Sequence, residues 1–349
     1  MNVAARSPII IAGALVLPPI MVGMIETSTT RRPRVPRTLS FSSTTDCGSP
    51  AGAILQVPTG WKAVVIVALA LLMCGRGLAD ERHAMTGLVL KVDAATRTMV
   101  VSTEKVPGFM EAMAMPFSVR QEASLNGLKP GTTIDFTLVV GKDFSYAEDI
   151  HVRGFESLEQ KPLELRRLKF LSGLAAPELR AGVLTTGQRV PDFVLTDQER
   201  KRVGFSALGG KVVAVTFAYI RCPNPSYCFR LASNFAQLQK RFKDRVGRDL
   251  VLLTIVIDPE HDQKGALAEY ARNWTSDSRA WHFLTGPLPE VTRVSHLFGV
   301  DFWVDEGSLI HSFNTAVIDR DGKLAANLEG NQFTAEQLGD LVKTVLDRP

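Results

Sequence analysis

Cysteine is scarce in this chain of 349 residues: four in all, at positions 47, 74, 222 and 228. A scaffold stapled by disulfides is excluded, because such chains are short and dense in cysteine. An excess of charge of one sign is missing as well. Forty Lys and Arg face 36 Asp and Glu, and residues 1–79 hold seven of the basic residues against only Glu26 and Asp46, so the remainder balances at 33 against 34. No basic footprint for nucleic acid follows from such a balance. Unbroken apolar runs of the roughly 20 residues that span a bilayer are also absent. Ala63–Met73 has eleven residues, and Pro8–Ile25 is interrupted by Pro18-Pro19, which opposes a stable helix. A polytopic membrane protein is therefore excluded. What the chain does have is 45% hydrophobic and 22% charged residues, enough for real cores, and a length that predicts two folded units plus extra chain.

The first part reads as targeting sequence. Lys62 precedes the apolar run 63–73, and Gly77-Leu78-Ala79 follows with small residues where signal peptidase cuts, so residues 61–79 are expected to be a signal peptide with a mature start at Asp80. The alternatives are an uncleaved anchor, with 63–73 as membrane tether, or lipidation at Cys74. Residues 1–60, with the Pro/Arg-rich stretch Thr29–Arg37, are expected to be a non-native or unstructured extension.

Two textures follow. Over 84–154 short alternating segments (86–92, 98–102, 115–119, 133–140, 148–152) separated by turn signals predict a small all-β, OB-like barrel. Residues 155–187 are charged and contain Pro, as in a linker. Over 188–347 apolar runs at 193–196, 212–219, 250–257 and 316–319 alternate with amphipathic stretches, the clearest being Leu231, Phe235, Leu238 and Phe242 on one helix face. This is an α/β layered unit.

Methionine is unevenly spread: of nine, five lie between Met85 and Met115 and none in the 234 residues beyond. Met113 and Met115 share one face of a strand, and Met110 can join them from the preceding loop. Thioethers are soft ligands that select Cu(I) and do not titrate. The same residues would also serve as filler of a barrel core.

The second chemical signal is Cys222-Pro-Asn-Pro-Ser-Tyr-Cys228, placed between a buried strand and the amphipathic helix. Within one helix the two Cα atoms would lie roughly 9 Å apart, beyond disulfide reach. The prolines break the helix early, with Asn224 as N-cap and Pro225 at N1, and fold Cys222 back toward Cys228. A thiol at that junction gains thiolate character from the helix terminus. A structural disulfide is the plain alternative.

Two resemblances are carried by these residues. Gly87–Val152 is similar to the CusF-type periplasmic copper-binding barrel, with Met113/Met115 matching its Met-x-Met pair; the positions matching that family's His and metal-stacked aromatic are Ser102/Thr103 and Met110. Gln188–Leu346 resembles the Sco/SenC family through Val190-Pro-Asp-Phe-Val-Leu195, the Cys-Pro…Cys loop, Ile257-Asp-Pro-Glu-His-Asp262, Trp281–Gly286, Phe298-Gly-Val300 and His311-Ser312. That resemblance implies a thioredoxin-like fold, copper held by Cys222, Cys228 and His311, and a role in assembling the copper site of cytochrome c oxidase. Five residues separate the two Cys here, against three in most members, and Phe229 replaces the usual Pro.

The expectation is thus a periplasmic copper chaperone, with a membrane anchor at 63–73 as the alternative to a cleaved signal, and with a second Cu(I) site at Met110, Met113 and Met115. Asp258 either orients a ligand or caps a turn. His261, His282 and His296 are expected to be satisfied polar residues. The expected partners are the copper subunit of cytochrome c oxidase and a periplasmic thiol reductant, with no nucleic acid. The alternative is an enzyme, a thiol–disulfide reductase using Cys222 and Cys228 without metal.

Overall fold

The computed structural model describes residues 80–154, 181–222, 225–261, 265–305 and 308–348. The expectations for 1–60 and 61–79, most of the linker 155–187, and the N-cap role of Asn224 lie outside the described residues. Those that are described fall within one compact unit.

The all-β part has five antiparallel strands: β1 (Glu81–Asp93), β2 (Thr98–Thr103), β3 (Met113–Ser118), β4 (Thr133–Val140) and β5 (Ser145–Val152), in spatial order β3-β2-β1-β4-β5. Inward side chains, among them Met85, Val89, Met99, Val101, Phe117, Ile134 and Phe136, make its core. A closed barrel is not formed among the described residues. The edge strands β3 and β5 meet at a bridge between Val119 and Ala147 rather than along a ladder.

The C-terminal part is thioredoxin-like. Its elements are β6 (Val194–Thr196) and β7 (Arg202–Gly204), a small hairpin; then β8 (Val212–Ala218), α1 (Arg230–Arg241), β9 (Leu250–Val256), α2 (Ala266–Arg272), β10 (Trp281–Leu284), α3 (Leu288–Leu297), the hairpin β11 (Phe302–Asp305) and β12 (Ser308–His311), then β13 (Asn314–Ile318), β14 (Leu324–Glu329) and α4 (Ala335–Leu346). The central sheet has the order β10-β9-β8-β13-β14, with β8, β9 and β10 parallel and β13 antiparallel to both neighbours. Every residue of β8 and β9 is buried. Helices cover both faces, which is why these strands read as continuous apolar runs instead of alternating. Leu231, Phe235 and Leu238 of α1 pack with Leu338, Leu341 and Val342 of α4 on one face, while Val291 and Val294 of α3 cover the other.

The two parts share a core. Leu88 and Leu90, on the outer side of β1, belong to the same buried cluster as the α1 and α4 leucines. The N-terminus of α4 carries a capping box in which Thr334 and Gln337 satisfy one another's backbone. Gln337 Nε2 also donates to the Ser102 carbonyl at 3.3 Å, and Ser102 Oγ donates to Asp340 Oδ2 at 2.7 Å. Fully burying each leucine stabilises by about 1.5–3 kcal/mol, so this contact is more than a tether.

Candidate metal centre

Strand β8 delivers the chain to the C-terminal edge of the parallel sheet, where open α/β sheets place their ligands. Tyr219 is the first residue beyond it, and its carbonyl accepts the Cys222 backbone N–H at 3.3 Å, closing the turn that holds Cys222. Residues Pro225–Phe229 form one wide helical turn, with Cys228 inside it, before α1 begins. Cys222 is half-buried and Cys228 only 2% exposed, and both are thiols. The Cys228 S–H is hydrogen-bonded to the Cys222 sulfur; that bond first, and burial second, push the Cys228 thiol far above its ordinary range. Tyr219 lies close to both sulfurs as well. Burial first, and the neighbouring sulfurs next, push its phenol above the ordinary range.

His311 arrives from the other side, on β12, whose register sets it opposite Phe302. The next residue pins the hairpin: Ser312 Oγ accepts from the Asp301 N–H and donates to the Gly299 carbonyl, each at 3.0 Å. His311 is 6% exposed. Its Nδ1 lies 2.9 Å from the Ser312 carbonyl, which can only accept, so Nδ1 carries the proton and the Nε2 lone pair is left for a ligand role. Burial lowers its pKa to about 4 against the opposing Ser312 bond, so the imidazole is neutral at physiological pH. The ring stands between Tyr219 (5.6 Å between centroids, 86°) and Phe313 (4.4 Å, 54°).

The cysteine pair and His311 are therefore neighbours of the same tyrosine. They do not form a preassembled set: among the described residues no three His, Cys, Asp or Glu side chains are grouped closely enough to hold a metal. As donors they nonetheless suit copper, with two sulfurs and one neutral nitrogen and no hard oxygen ligand.

Asp258 is placed differently from a partner of His311. One oxygen accepts from Arg221 Nη2 at 2.8 Å and the other is 2.8 Å from His261 Nδ1. Burial by itself would raise this carboxyl, but Arg221 and His261 outweigh it and hold it below the usual range. Asp258 thus fixes the residue before Cys222 and the imidazole of His261. His282 and His296 also face carboxylates, those of Asp197 at 3.4 Å and Asp301 at 2.8 Å.

In the all-β part Met113 pairs with Thr103 and Met115 with Val101, so the two thioethers do share a strand face. Met113 is 51% exposed, whereas Met110 and Met115 are partly buried against the β core. Thr103 Oγ1 donates to the Met113 carbonyl, and Ser102 is committed to Asp340. The imidazole at this end is one the sequence reading passed over: His83 of β1 stacks on Phe109, the neighbour of Met110, at 3.6 Å and 12°. Its Nε2 makes no hydrogen bond but lies 3.5 Å from Glu81 Oε2. Tyr219 was passed over too, since a tyrosine closing an apolar strand looks like core.

Residues 184–347 match the family model SCO1/SenC, and residues 82–151 match that of the copper binding periplasmic protein CusF. Among solved structures, a SCO1/SenC family lipoprotein from Bacillus anthracis is 27% identical, with 46% of this chain and 96% of that one covered and a TM-score of 0.42. Arabidopsis thaliana ScoI with copper bound is 23% identical, covering 47% and 100%, with a TM-score of 0.41. Yeast Sco1 with copper bound is 22% identical, covering 47% and 91%, with a TM-score of 0.40. A search of curated proteins gives no match. Residues 184–347 are thus similar to the SCO1/SenC family, and residues 82–151 to the CusF family.

Proposed function

We propose that this protein is a copper chaperone of the periplasm that takes copper as cargo on Cys222, Cys228 and His311 and delivers it for assembly of cytochrome c oxidase. The observation that carries the reading is the convergence of two thiols and a neutral imidazole, whose Nδ1 is taken by Ser312, on Tyr219. The resemblance to families whose members bind copper supports it. A three-ligand site leaves a position open for an incoming ligand, which suits an ion that must be passed on. The partner that receives copper is the copper subunit of the oxidase, and a periplasmic thiol reductant keeps the pair reduced. Met110, Met113 and Met115 form a second, Cu(I) site. The domain bounds 84–154 and 188–347, with 155–187 as linker, belong to the same proposal.

The test is copper stoichiometry of the reduced chain from Asp80 onward. One copper at the main centre should be lost in Cys222→Ser and Cys228→Ser, together with the sulfur-to-Cu(II) charge-transfer band, and weakened with a shifted spectrum in His311→Ala. Unchanged spectra in all three variants would sink the assignment.

The sulfur–sulfur hydrogen bond favours a second reading, thiol–disulfide exchange. There the Cys222 thiolate attacks a substrate disulfide and expels one substrate thiolate, and Cys228 then displaces the second to leave a Cys222–Cys228 disulfide. That chemistry needs both cysteines but not His311. If His311→Ala keeps full oxidase activity at low copper in a complementation assay while Cys222→Ser loses it, exchange is the function.

A further inference from the structure

His83 stands at the methionine end of the all-β part in a setting that packing alone does not explain. Its Nε2 is shielded from solvent and makes no hydrogen bond; the mostly exposed Glu81 carboxylate stands 3.5 Å from it without forming one. A buried polar atom left unsatisfied is costly, and in native proteins it points to a partner such as an ion. The ring itself is held. Phe109 stacks on it at 3.6 Å and 12°, a contact that occupies the face of the imidazole and leaves its nitrogen edge free.

Strand register brings the thioethers to the same place. Met85 and Val89 of β1 point into the β core, so by the two-residue period of a strand His83 shares their face. Across the sheet Val89 pairs with Val101 and Val101 with Met115, while Gly87 pairs with Thr103 and Thr103 with Met113. Met115 and Met113 therefore lie on that same inner face, in rows that step toward the His83 end of β1. Beyond Thr103 the chain stays on β1 through the bond from the Glu104 N–H to the Thr86 carbonyl at 2.9 Å, then turns back at the bridge of Val106 with Met110. That turn seats Phe109 on His83 and carries Met110 next to it in sequence.

The structure assigns His83 as the nitrogen ligand of a Cu(I) site whose sulfurs are Met113 and Met115, with Met110 at its rim. The inference rests on the second site proposed above and supplies the imidazole that site lacked. Ser102 and Thr103, the positions matching the related family's His, are engaged elsewhere: Ser102 Oγ with Asp340 and Thr103 Oγ1 with the Met113 carbonyl. The nitrogen comes instead from β1. A ring nitrogen with thioether sulfurs is a soft donor set that favours Cu(I) over harder ions. Phe109 fixes the ring's orientation, as partners around a ligating histidine do.

The test uses the chain from Asp80 onward carrying Cys222→Ser and Cys228→Ser, which disables the main centre. It is compared with the same chain carrying His83→Phe in addition, which keeps an aromatic ring against Phe109. Cu(I) affinity is read by chelator competition. In the wild-type chain Ag(I), a soft monovalent ion with a magnetic nucleus, reports its ligands by NMR. The expected result is a Cu(I) affinity lowered by about tenfold or more in His83→Phe, and a ring-nitrogen resonance of His83 split by silver in wild type. Equal affinity in a folded His83→Phe chain would overturn the assignment and leave a methionine-only site standing. Weaker affinity without silver splitting would also overturn it, making the ring a packing element. A folded parent chain that binds no Cu(I) would remove the methionine site and this inference together, with the cysteine centre untouched. If a variant does not fold, the splitting decides: present, it upholds the ligand; absent, it rules the ligand out.

Discussion

Ser102 Oγ donates a 2.7 Å hydrogen bond to Asp340 Oδ2, across 238 residues of sequence, and thereby joins β2 of the all-β part to α4 of the thioredoxin-like part. Asp340 also accepts from Arg241 Nη2 at 2.6 Å, so the serine enters a charged network instead of facing solvent. Ser102→Ala leaves Asp340 its arginine but strips a charge-assisted bond from a part-buried site, and is expected to cost about 1–2 kcal/mol by denaturant unfolding. Excision is harsher. A fragment of residues 80–154 exposes Leu88 and Leu90, which are 0% and 1% accessible in the intact chain, and should unfold at a much lower denaturant concentration than the whole protein. Equal stability of fragment and whole would refute the shared core.

His311 gives the metal-free protein a pH dependence with a defined sign. Its folded pKa, lowered to about 4, lies below the ordinary value of 6.5, so the unfolded chain binds the extra proton between those two values. The contribution is fully present above pH 6.5, declines as pH falls through that window, and is gone below about 4, a loss on the order of 3 kcal/mol. His311→Gln should flatten the slope of stability against pH between 4 and 6.5. A slope equal to that of wild type would show that the imidazole is not buried as described.

The two thiols should differ in access. Cys222 is half-buried, while Cys228 is buried with its thiol pKa pushed up by the bond to Cys222 and by desolvation. Limited alkylation at pH 8, read by mass spectrometry, is expected to label Cys222 first, by tenfold or more, with both labelled equally after denaturation. Preferential labelling of Cys228 would reverse the assignment of the outer thiol.

Met113 discriminates between ligand and filler. A core methionine is not expected at 51% exposure. Met113→Leu should change stability by less than about 0.5 kcal/mol, as surface substitutions do, while weakening Cu(I) binding to the all-β part by about tenfold in a chelator competition. Unchanged affinity in that variant would leave these methionines without a metal role.

Much of this arrangement is legible in the sequence. Strands β8 and β9 are buried on both faces, so their apolar runs mark them within a residue or two, and α1 is given by Leu231, Phe235 and Leu238. The start of the helical turn that carries Cys228 is legible because Pro225 opens it. Leu88-Val89-Leu90 was harder: read as one strand with a single inner face, it hides the fact that Val89 faces the β core and its neighbours a second core. The placement of His311 depends on the β11–β12 hairpin, whose short strands carry little periodicity. Tyr219 and His83 escaped because their roles lie in contacts between residues far apart in sequence, to His311 and Phe109, and no spacing encodes those.

The leucines that leave β1 for the other core set a mechanical limit. A small β unit on a free tether could swing its methionines to the cysteine turn and hand an ion across directly. Here the sheet is clamped by Leu88, Leu90 and the Ser102–Asp340 bond, so the distance between its methionine end and the cysteine turn is a constant of the molecule. Traffic between the two ends would follow the arrival rate of a mobile carrier from solution, and would rise with that carrier's concentration.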